Sequence, residues 1–186
     1  MKPLITSAAM MAAISFSTLA PTAGAFDLQS KDIQPGKPMP KAQEFVGFGC
    51  DGQNLSPQLQ WSNPPEGTKS FAITAYDPDA PTGSGWWHWL VYNLPESTNR
   101  LASGAGKGDL SLLPTGAAHG RNDYGQYAFG GACPPEKHGV HRYQFKVVAL
   151  DVPTLELPKE SSAALIGYML NSHKLGEASI EALYQR

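Results

Sequence analysis

A regular alternation of apolar and polar residues constrains the fold of this chain most. In residues 141–151, HRYQFKVVALD, apolar side chains occupy every second position from Tyr143 to Ala149, while Arg142, Gln144 and Lys146 lie on the other face. A period of two is typical of a β-strand that buries one face. His141 falls on the same face as Tyr143, so the pattern predicts an imidazole that points with the apolar residues.

Two more segments are predicted to form strands. Residues 68–77, TKSFAITAYD, alternate and run directly into Asp77, and residues 86–94, WWHWLVYNL, are apolar on both faces, as expected of a central strand. Residues 161–173, SSAALIGYMLNSH, predict one helix, whereas the alternation in residues 177–184 favours a closing strand over a second helix. Clusters of Gly and Pro separate these segments. The sequence therefore predicts a mainly β domain.

The first 25 residues have the pattern of a secretory signal peptide. Lys2 is followed by an apolar, uncharged run over residues 4–19, and Ala23-Gly24-Ala25 is a small-residue cleavage site. The run is shorter than the ~20 residues that a membrane-spanning helix needs. We therefore predict cleavage before Phe26, a single domain over residues 26–186, a periplasmic or secreted location and no integral membrane association.

Charge and cysteine content narrow the function further. The chain carries 14 basic and 16 acidic residues, a net charge of −2, so it has no basic field for nucleic acid or anionic lipid headgroups. Its two cysteines, Cys50 and Cys133, form an even number in a chain predicted to be exported. An oxidising compartment then predicts a disulfide, and two separate buried thiols are the alternative.

The segment DPDAPTGSGWWHW contains the first candidate site residues. Each Pro fixes its own φ and keeps the preceding residue out of the α region, so Asp77 and Asp79 are expected in a stiff, extended corner. The PTGSG connection turns the chain back and is expected to bring Asp77 beside His88. A carboxylate there would favour the charged imidazole, leaving a donor for an anion. The alternative is that both aspartates merely open a turn.

The long loop over residues 121–139 supplies complementary groups. Its FGGACPP segment is expected to expose backbone N–H groups at glycine beside a rigid Pro-Pro wall, close to His141 and Tyr143. Such a set suits a small phosphate or carboxylate in a shallow pocket with apolar walls. It contains no evident nucleophile.

Taken together, DPDAP, WWHW and PPEKHGVHRY resemble the two signature regions of the phosphatidylethanolamine-binding protein family, also called the Raf kinase inhibitor protein family. The segments GFGCDGQNLSPQLQWSNPPEGTKSFA and RNDYGQYAFGGACPP resemble its bacterial YbhB/YbcL branch. The resemblance covers essentially all of residues 26–186. It implies a Greek-key arrangement of two antiparallel sheets with one or two C-terminal helical elements and an anion pocket at one end.

The resemblance also implies the residues of that pocket: Asp77, Asp79, His88, Pro135, His141 and Tyr143, with Gly131 and the backbone of Cys133 in an anion loop. The His-His pair of the family motif is Trp87-His88 here, so ligand preference is expected to differ. Family members also act as kinase or protease inhibitors and as signalling modules. A protein partner and a homodimer are therefore family-level expectations, while lipid binding does not follow from the family name.

The favoured hypothesis is an exported, noncatalytic module that recognises a small anionic or phosphorylated group and modulates or inhibits a protein partner. The alternative is a hydrolase in which the Asp77/His88 pair activates water on a phosphoester or ester. No G-x-S-x-G or H-E-x-x-H segment supports that alternative. His138 and His141 form an H-x-x-H pair without an evident third ligand, so we expect neither a metal nor a cofactor.

Overall fold

The computed structural model describes residues 24–186. The predicted signal peptide, except for its last two residues, lies outside this range. Within residues 24–186, no helix has the length and apolar character needed to cross a membrane.

Strands dominate the described part of the chain. The only α-helix there, α1, spans Ala163–Ser172, and a single 3-10 turn spans Lys41–Gln43. The strands are β1 (Asp27–Gln29), β2 (Val46–Gly47), β3 (Cys50–Asp51), β4 (Leu59–Ser62), β5 (Ser70–Asp77), β6 (Trp86–Pro95), β7 (Arg100–Leu101), β8 (Ala118–His119), β9 (His141–Leu150) and β10 (Lys174–Tyr184).

The strands form two main antiparallel sheets and a small hairpin. The larger sheet has the order β10-β9-β5-β6-β8, the smaller has the order β1-β4-β7, and β2 pairs with β3. Within the larger sheet β9 returns beside β5, which gives the spatial order β9-β5-β6-β8 of a Greek key. The predicted fold class is therefore confirmed, and β6 lies inside the sheet as its apolar sequence indicates.

Two apolar clusters cover the two faces of the larger sheet. The first combines side chains from both sheets, including Trp61 of β4, Phe71 of β5 and Phe145 of β9. The second packs residues such as Leu90 of β6 against Ile166 of α1. The domain thus has three layers, because each face of the central sheet is apolar and must be covered.

The C-terminal region contains one helix and one long strand. Helix α1 begins after Ser162, whose hydroxyl accepts the Leu165 N–H at 3.1 Å, as is usual for a helix N-cap. The predicted strand over residues 177–184 is confirmed as part of β10, which pairs with β9 along its length. Residues 177–184 form a strand rather than a helix because β9 is available for pairing along its whole length.

A β-bulge on β6 changes the direction of one side chain. Tyr76 of β5 pairs with Trp87, but the adjacent Ala75 pairs with Trp89, so His88 is the extra residue between them. A bulge inserts one unpaired residue and lets a strand re-aim its side chain. His88 therefore lies beside Tyr143 of β9, with their ring centroids 5.1 Å apart.

Cys50 and Cys133 form a disulfide, as predicted. It joins β3 to the loop that follows the Gly130-Gly131 pair and closes a separation of 83 residues. The bridge thereby fixes one wall of the cavity described next.

Candidate functional site

A cavity of about 300 Å³ lies where β5 ends and β6 and β9 begin. Most of the residues that the sequence assigned to a pocket line it: Asp77, His88, Cys133, Pro135, His141 and Tyr143. Asp79 and Gly131 do not line it. The three strands converge here because β5 is antiparallel to both of its neighbours.

The side chain of Asp77 is hydrogen-bonded to the ring of His141. Its Oδ2 lies 2.7 Å from His141 Nδ1, and both side chains are buried. Asp77 Oδ1 also accepts the backbone N–H of Asp79 at 2.8 Å, which closes the turn after β5. The start of β9 reaches the end of β5, so the two residues meet although they are 64 positions apart. The predicted Asp77–His88 pair is therefore wrong.

His88 is held instead by the glycine loop. Its Nδ1 lies 2.8 Å from the Gly130 carbonyl oxygen and 3.1 Å from that of Gly131. Because carbonyl oxygens only accept, Nδ1 carries a proton. Burial lowers the pKa of His88, an effect that these carbonyls and the charge of Asp77 only partly oppose. The neutral ring leaves Nε2 as an acceptor, so the expected charged donor is also wrong.

The glycine loop does not present free amides as the sequence predicted. The Gly130 N–H donates to the His88 carbonyl at 2.9 Å, and the Gly131 N–H donates to Asn54 Oδ1 at 2.6 Å. A Cβ atom on Gly131 would lie 2.3 Å from the Gln43 carbonyl oxygen, so only glycine fits. Gly131 therefore positions His88, and its amide is not available to an anion.

Asp79 connects the turn after β5 to Arg142 of β9 through hydrogen bonds. Its carboxylate accepts hydrogen bonds from Arg142 Nε at 2.9 Å, Nη2 at 2.8 Å and the backbone N–H at 2.9 Å. These bonds outweigh desolvation and lower the pKa of Asp79 to about 2. The residue is a positioning group at the edge of the site.

The second ring nitrogen of His141 is covered by another histidine. His138 Nδ1 lies 2.8 Å from His141 Nε2, and the ring of His138 is exposed. Both nitrogens of His141 thus have partners, one in Asp77 and one in His138. The H-x-x-H pair of the sequence thus forms a direct contact between its two rings.

Tyr124 is a cavity residue that sequence reasoning missed. Its hydroxyl donates to the Gly131 carbonyl at 3.0 Å, and its ring stacks on Phe45 at a centroid distance of 4.1 Å. The same ring meets Trp86 and His88 edge-on, at 5.3 and 5.6 Å. Burial raises the pKa of Tyr124, so its hydroxyl keeps its proton. An aromatic residue inside a long Gly-rich loop was the available signal.

Two buried donors face the cavity without an acceptor. The indole Nε1 of Trp86 and the hydroxyl of Tyr143 make no hydrogen bond of good geometry within residues 24–186, and both residues line the cavity. Burial raises the pKa of Tyr143, so its hydroxyl stays protonated. The Asp77 carboxylate lies close enough to this hydroxyl to help raise its pKa. The N–H of the Trp86 indole can only donate, so it needs an acceptor.

Arg186 also lines the cavity and was missed. Its Nε donates to the Pro134 carbonyl at 2.8 Å and its Nη1 to the Gly49 carbonyl at 2.9 Å. No signal near position 186 could have indicated this, because the contact depends on where β10 ends relative to the disulfide.

Comparison with known proteins identifies the family of this chain. A family model described as phosphatidylethanolamine-binding protein matches residues 29–185, and the chain belongs to that family. It is 50% identical to UPF0098 protein YbcL of Escherichia coli strain K12 over 185 residues, which is 100% of this chain and 99% of YbcL. It is 46% identical to UPF0098 protein YbhB of the same strain over 157 residues, covering 84% of this chain and 98% of YbhB.

Solved structures support the same assignment. The crystal structure of Escherichia coli YbcL, described as a new member of the mammalian PEBP family, matches with a TM-score of 0.85 and 52% identity. It covers 87% of this chain and 98% of that one. A putative phosphatidylethanolamine-binding protein homologue from Chlamydia trachomatis matches with a TM-score of 0.71 and 30% identity, covering 87% and 98%.

Proposed function

We propose that this protein binds a small phosphate-bearing ligand in the cavity beside His88 without transforming it. The observation that carries the proposal is the pair of buried donors, Trp86 Nε1–H and Tyr143 O–H, that lack acceptors at one cavity. An unsatisfied buried donor destabilises a protein by about 1 to 3 kcal/mol. A ligand that presents oxygen acceptors to both groups removes that penalty on binding.

Whereas Trp86 and Tyr143 require acceptors on the ligand, His88 requires a hydrogen-bond donor. Its neutral ring presents Nε2 as an acceptor, so the ligand must also carry a donor. A monoprotonated phosphate has oxygen acceptors and one O–H, whereas sulfate at neutral pH has acceptors only. Phosphoethanolamine, the head of the lipid named in the family description, combines phosphate oxygens with ammonium donors. Its phosphate and that of a free phosphate ester present the same acceptors.

The hydrogen-bond partners of Asp77 and His88 argue against the hydrolase alternative. It requires Asp77 to activate His88, but the Asp77 carboxylate bonds to His141 and the His88 N–H bonds to two carbonyls. A general base needs a positioned partner and a reachable proton. The absence of turnover is tested directly by incubating the protein with phosphate-ester and ester panels and measuring product.

We also propose that the chain is exported after loss of residues 1–25. The sequence match to YbhB covers 98% of that protein but only 84% of this chain, and the family model begins at residue 29. The Cys50–Cys133 disulfide suits an oxidising compartment. N-terminal sequencing of protein recovered from outside the cytoplasm should begin at Phe26, and a start at Met1 would contradict export by cleavage.

The binding proposal is tested with Tyr143→Phe, which removes only the hydroxyl. Calorimetric titration with inorganic phosphate and with phosphoethanolamine should show binding to the wild type and about tenfold weaker binding to the variant, the loss of one hydrogen bond. The free energy of unfolding should rise in the same variant, because an unsatisfied buried group is lost. Tyr168→Phe, on an exposed residue of α1, is the control and should change neither quantity.

Two results would overturn the proposal. One is a wild-type protein that binds neither phosphate nor phosphoethanolamine. The other is a Tyr143→Phe variant that binds both as tightly as the wild type does. Comparing the two ligands distinguishes a free phosphate from a lipid headgroup.

A further inference from the structure

Among residues 24–186, only Arg186 brings a permanently positive side chain to the lining of the cavity. No carboxylate in residues 24–186 forms an ion pair with this group, whereas Arg142 is paired with Asp79. An arginine side chain keeps its charge at all ordinary pH values. The charge beside the cavity is therefore permanent, unlike that of any histidine there.

The guanidinium is held in one orientation by two backbone carbonyls. Arg186 Nε donates to Pro134 O and Nη1 donates to Gly49 O. A guanidinium has five N–H groups in a planar fork, so donors remain that these carbonyls do not use. A fork with fixed orientation suits the oxygens of a phosphate group.

The two carbonyls belong to residues next to the disulfide. Gly49 immediately precedes Cys50, and Pro134 immediately follows Cys133. Arg186 thus spans the two segments that the disulfide joins. The position of the guanidinium depends on the distance between these segments, which the covalent bridge keeps fixed.

Gly49 lies at the tip of the β2–β3 hairpin, where the neighbouring Phe48 ring stacks on Phe45 and Tyr124 at centroid distances of 5.9 Å. Gly47 at the end of β2 and the turn residues Phe48 and Gly49 all have positive φ, and the Phe48 side chain is 76% exposed. The base of the hairpin is anchored separately, because the Phe45 N–H donates to the Ala132 carbonyl at 3.0 Å. Removing the disulfide is therefore expected to loosen the tip and Gly49 while the base stays in place.

We propose that Arg186 is the cationic contact of the phosphate in this cavity and that the Cys50–Cys133 disulfide positions it. This inference rests on the proposed function and adds a specificity-determining residue to the same site. It makes the affinity for an anion depend on an intact disulfide through the geometry of Arg186, independently of any effect of the disulfide on stability.

The first test measures inorganic phosphate binding by calorimetry in Arg186→Gln and Arg186→Lys. Arg186→Gln should weaken binding ten- to a hundredfold, as expected for loss of a charge-assisted contact. Arg186→Lys should remain at least fivefold weaker than the wild type, because one ammonium cannot reach both carbonyls and the ligand. Lys137→Gln removes a positive charge from the neighbouring exposed loop and should change affinity less than twofold.

The second test is a double-mutant cycle with the disulfide. Cys50→Ser/Cys133→Ser should weaken phosphate binding at least fivefold in protein shown to be folded by circular dichroism. Adding Arg186→Gln to that background should cause a much smaller loss than it causes in the wild type. Full additivity would show that the disulfide does not act through Arg186 and would overturn the positioning role.

The outcomes separate this inference from the proposed function. If the wild type binds phosphate but Arg186→Gln behaves like Lys137→Gln, the role of Arg186 is refuted and the binding function stands. If Arg186→Lys binds as tightly as the wild type, fixed orientation is refuted even where the serine variant does not fold. If the wild type does not bind phosphate, both proposals fail.

Discussion

The carboxylate of Asp77 and the imidazole of His141 form a buried hydrogen bond between the end of β5 and the start of β9, with 2.7 Å between Oδ2 and Nδ1. This contact joins two signature segments that lie far apart in the sequence. It fixes the ring of His141 at the cavity and leaves His88 to be positioned by the glycine loop.

Replacing Asp77 should therefore affect stability strongly. Asp77→Ala leaves His141 Nδ1 buried without a partner and removes the acceptor of the Asp79 N–H, so we expect a loss of about 3 to 5 kcal/mol in the free energy of unfolding. Asp77→Asn keeps an oxygen acceptor and should lose less. Urea denaturation measures both, with the exposed Glu136→Ala as control. Equal stability of Asp77→Ala and wild type would contradict the buried pair.

Stability should fall as the solution becomes acidic, because two histidines are buried as neutral rings. Burial lowers the pKa of both His88 and His119 below the ordinary value of 6.5. Below about pH 6.5 the unfolded chain binds protons that the folded chain does not, so the stabilisation present above that pH is progressively lost. Urea denaturation at pH 7.5 and pH 5 should show the decrease.

His119→Gln isolates one part of this pH effect. The wild-type ring accepts the Trp89 indole N–H at 3.3 Å and contacts the Lys107 carbonyl at 3.1 Å, and glutamine retains one donor and one acceptor. The variant should lose less stability than the wild type between pH 7.5 and pH 5. An unchanged pH dependence would mean that His119 does not contribute.

The neutral state of His88 predicts discrimination between phosphate and sulfate. A monoprotonated phosphate ester can donate its O–H to Nε2, whereas sulfate cannot. At pH 6.5, where a lowered pKa keeps the His88 ring mostly neutral, we expect the phosphate ester to bind at least tenfold more tightly than sulfate, equivalent to about 1.4 kcal/mol. Its affinity should fall by pH 7.5, because phosphate esters lose their second proton near a pKa of about 6.

His88→Asn provides the control for this discrimination. Its amide can still donate to the Gly130 carbonyl but has no atom in the place of Nε2. Calorimetry should show that the variant binds the phosphate ester and sulfate with similar affinity. Equal binding of the two anions to the wild type at pH 6.5 would contradict an accepting Nε2.

The ion pair between Arg142 and Asp79 predicts a measurable change in the pKa of Asp79 when Arg142 is replaced. In Arg142→Gln, the pKa of Asp79 should rise from about 2 toward the ordinary value of 3.8, because hydrogen bonds from Arg142 are the largest cause of its depression. In the wild type this group contributes stability above about pH 3.8, which is lost as the pH falls through 2. Titration of the Asp79 carboxyl carbon by NMR tests the change, and a value that stays near 2 would contradict it.

Much of the fold could be predicted from the sequence because the relevant signals are local. Alternation in residues 141–151 and 177–184 corresponds to β9 and β10, and the apolar run that begins at Trp86 corresponds to β6 inside the sheet. The parity of the cysteines predicted the bridge that forms. The family resemblance, which rests on ordered motifs, predicted the Greek-key arrangement and most of the residues that line the cavity.

The partners of those residues could not be predicted in the same way. The sequence placed Asp77 next to His88 because a short turn connects them, but strand pairing brings Asp77 to His141 instead. A bulge turns His88 toward the glycine loop, and burial reverses the expected preference for the charged ring. A bulge of one residue leaves no clear pattern in the sequence, and burial depends on groups from several elements.

The sequence by itself determined the four long strands β5, β6, β9 and β10, favoured the Cys50–Cys133 bridge and, through the family resemblance, indicated most of the residues that line the cavity. Tertiary structure alone decided what those groups can do: His88 is an acceptor, the Gly131 amide is occupied, and Arg186 reaches the cavity. The physical reason is that periodicity and motif spacing are properties of neighbouring residues. Protonation and hydrogen-bond partners depend on burial and on atoms brought together from distant parts of the chain.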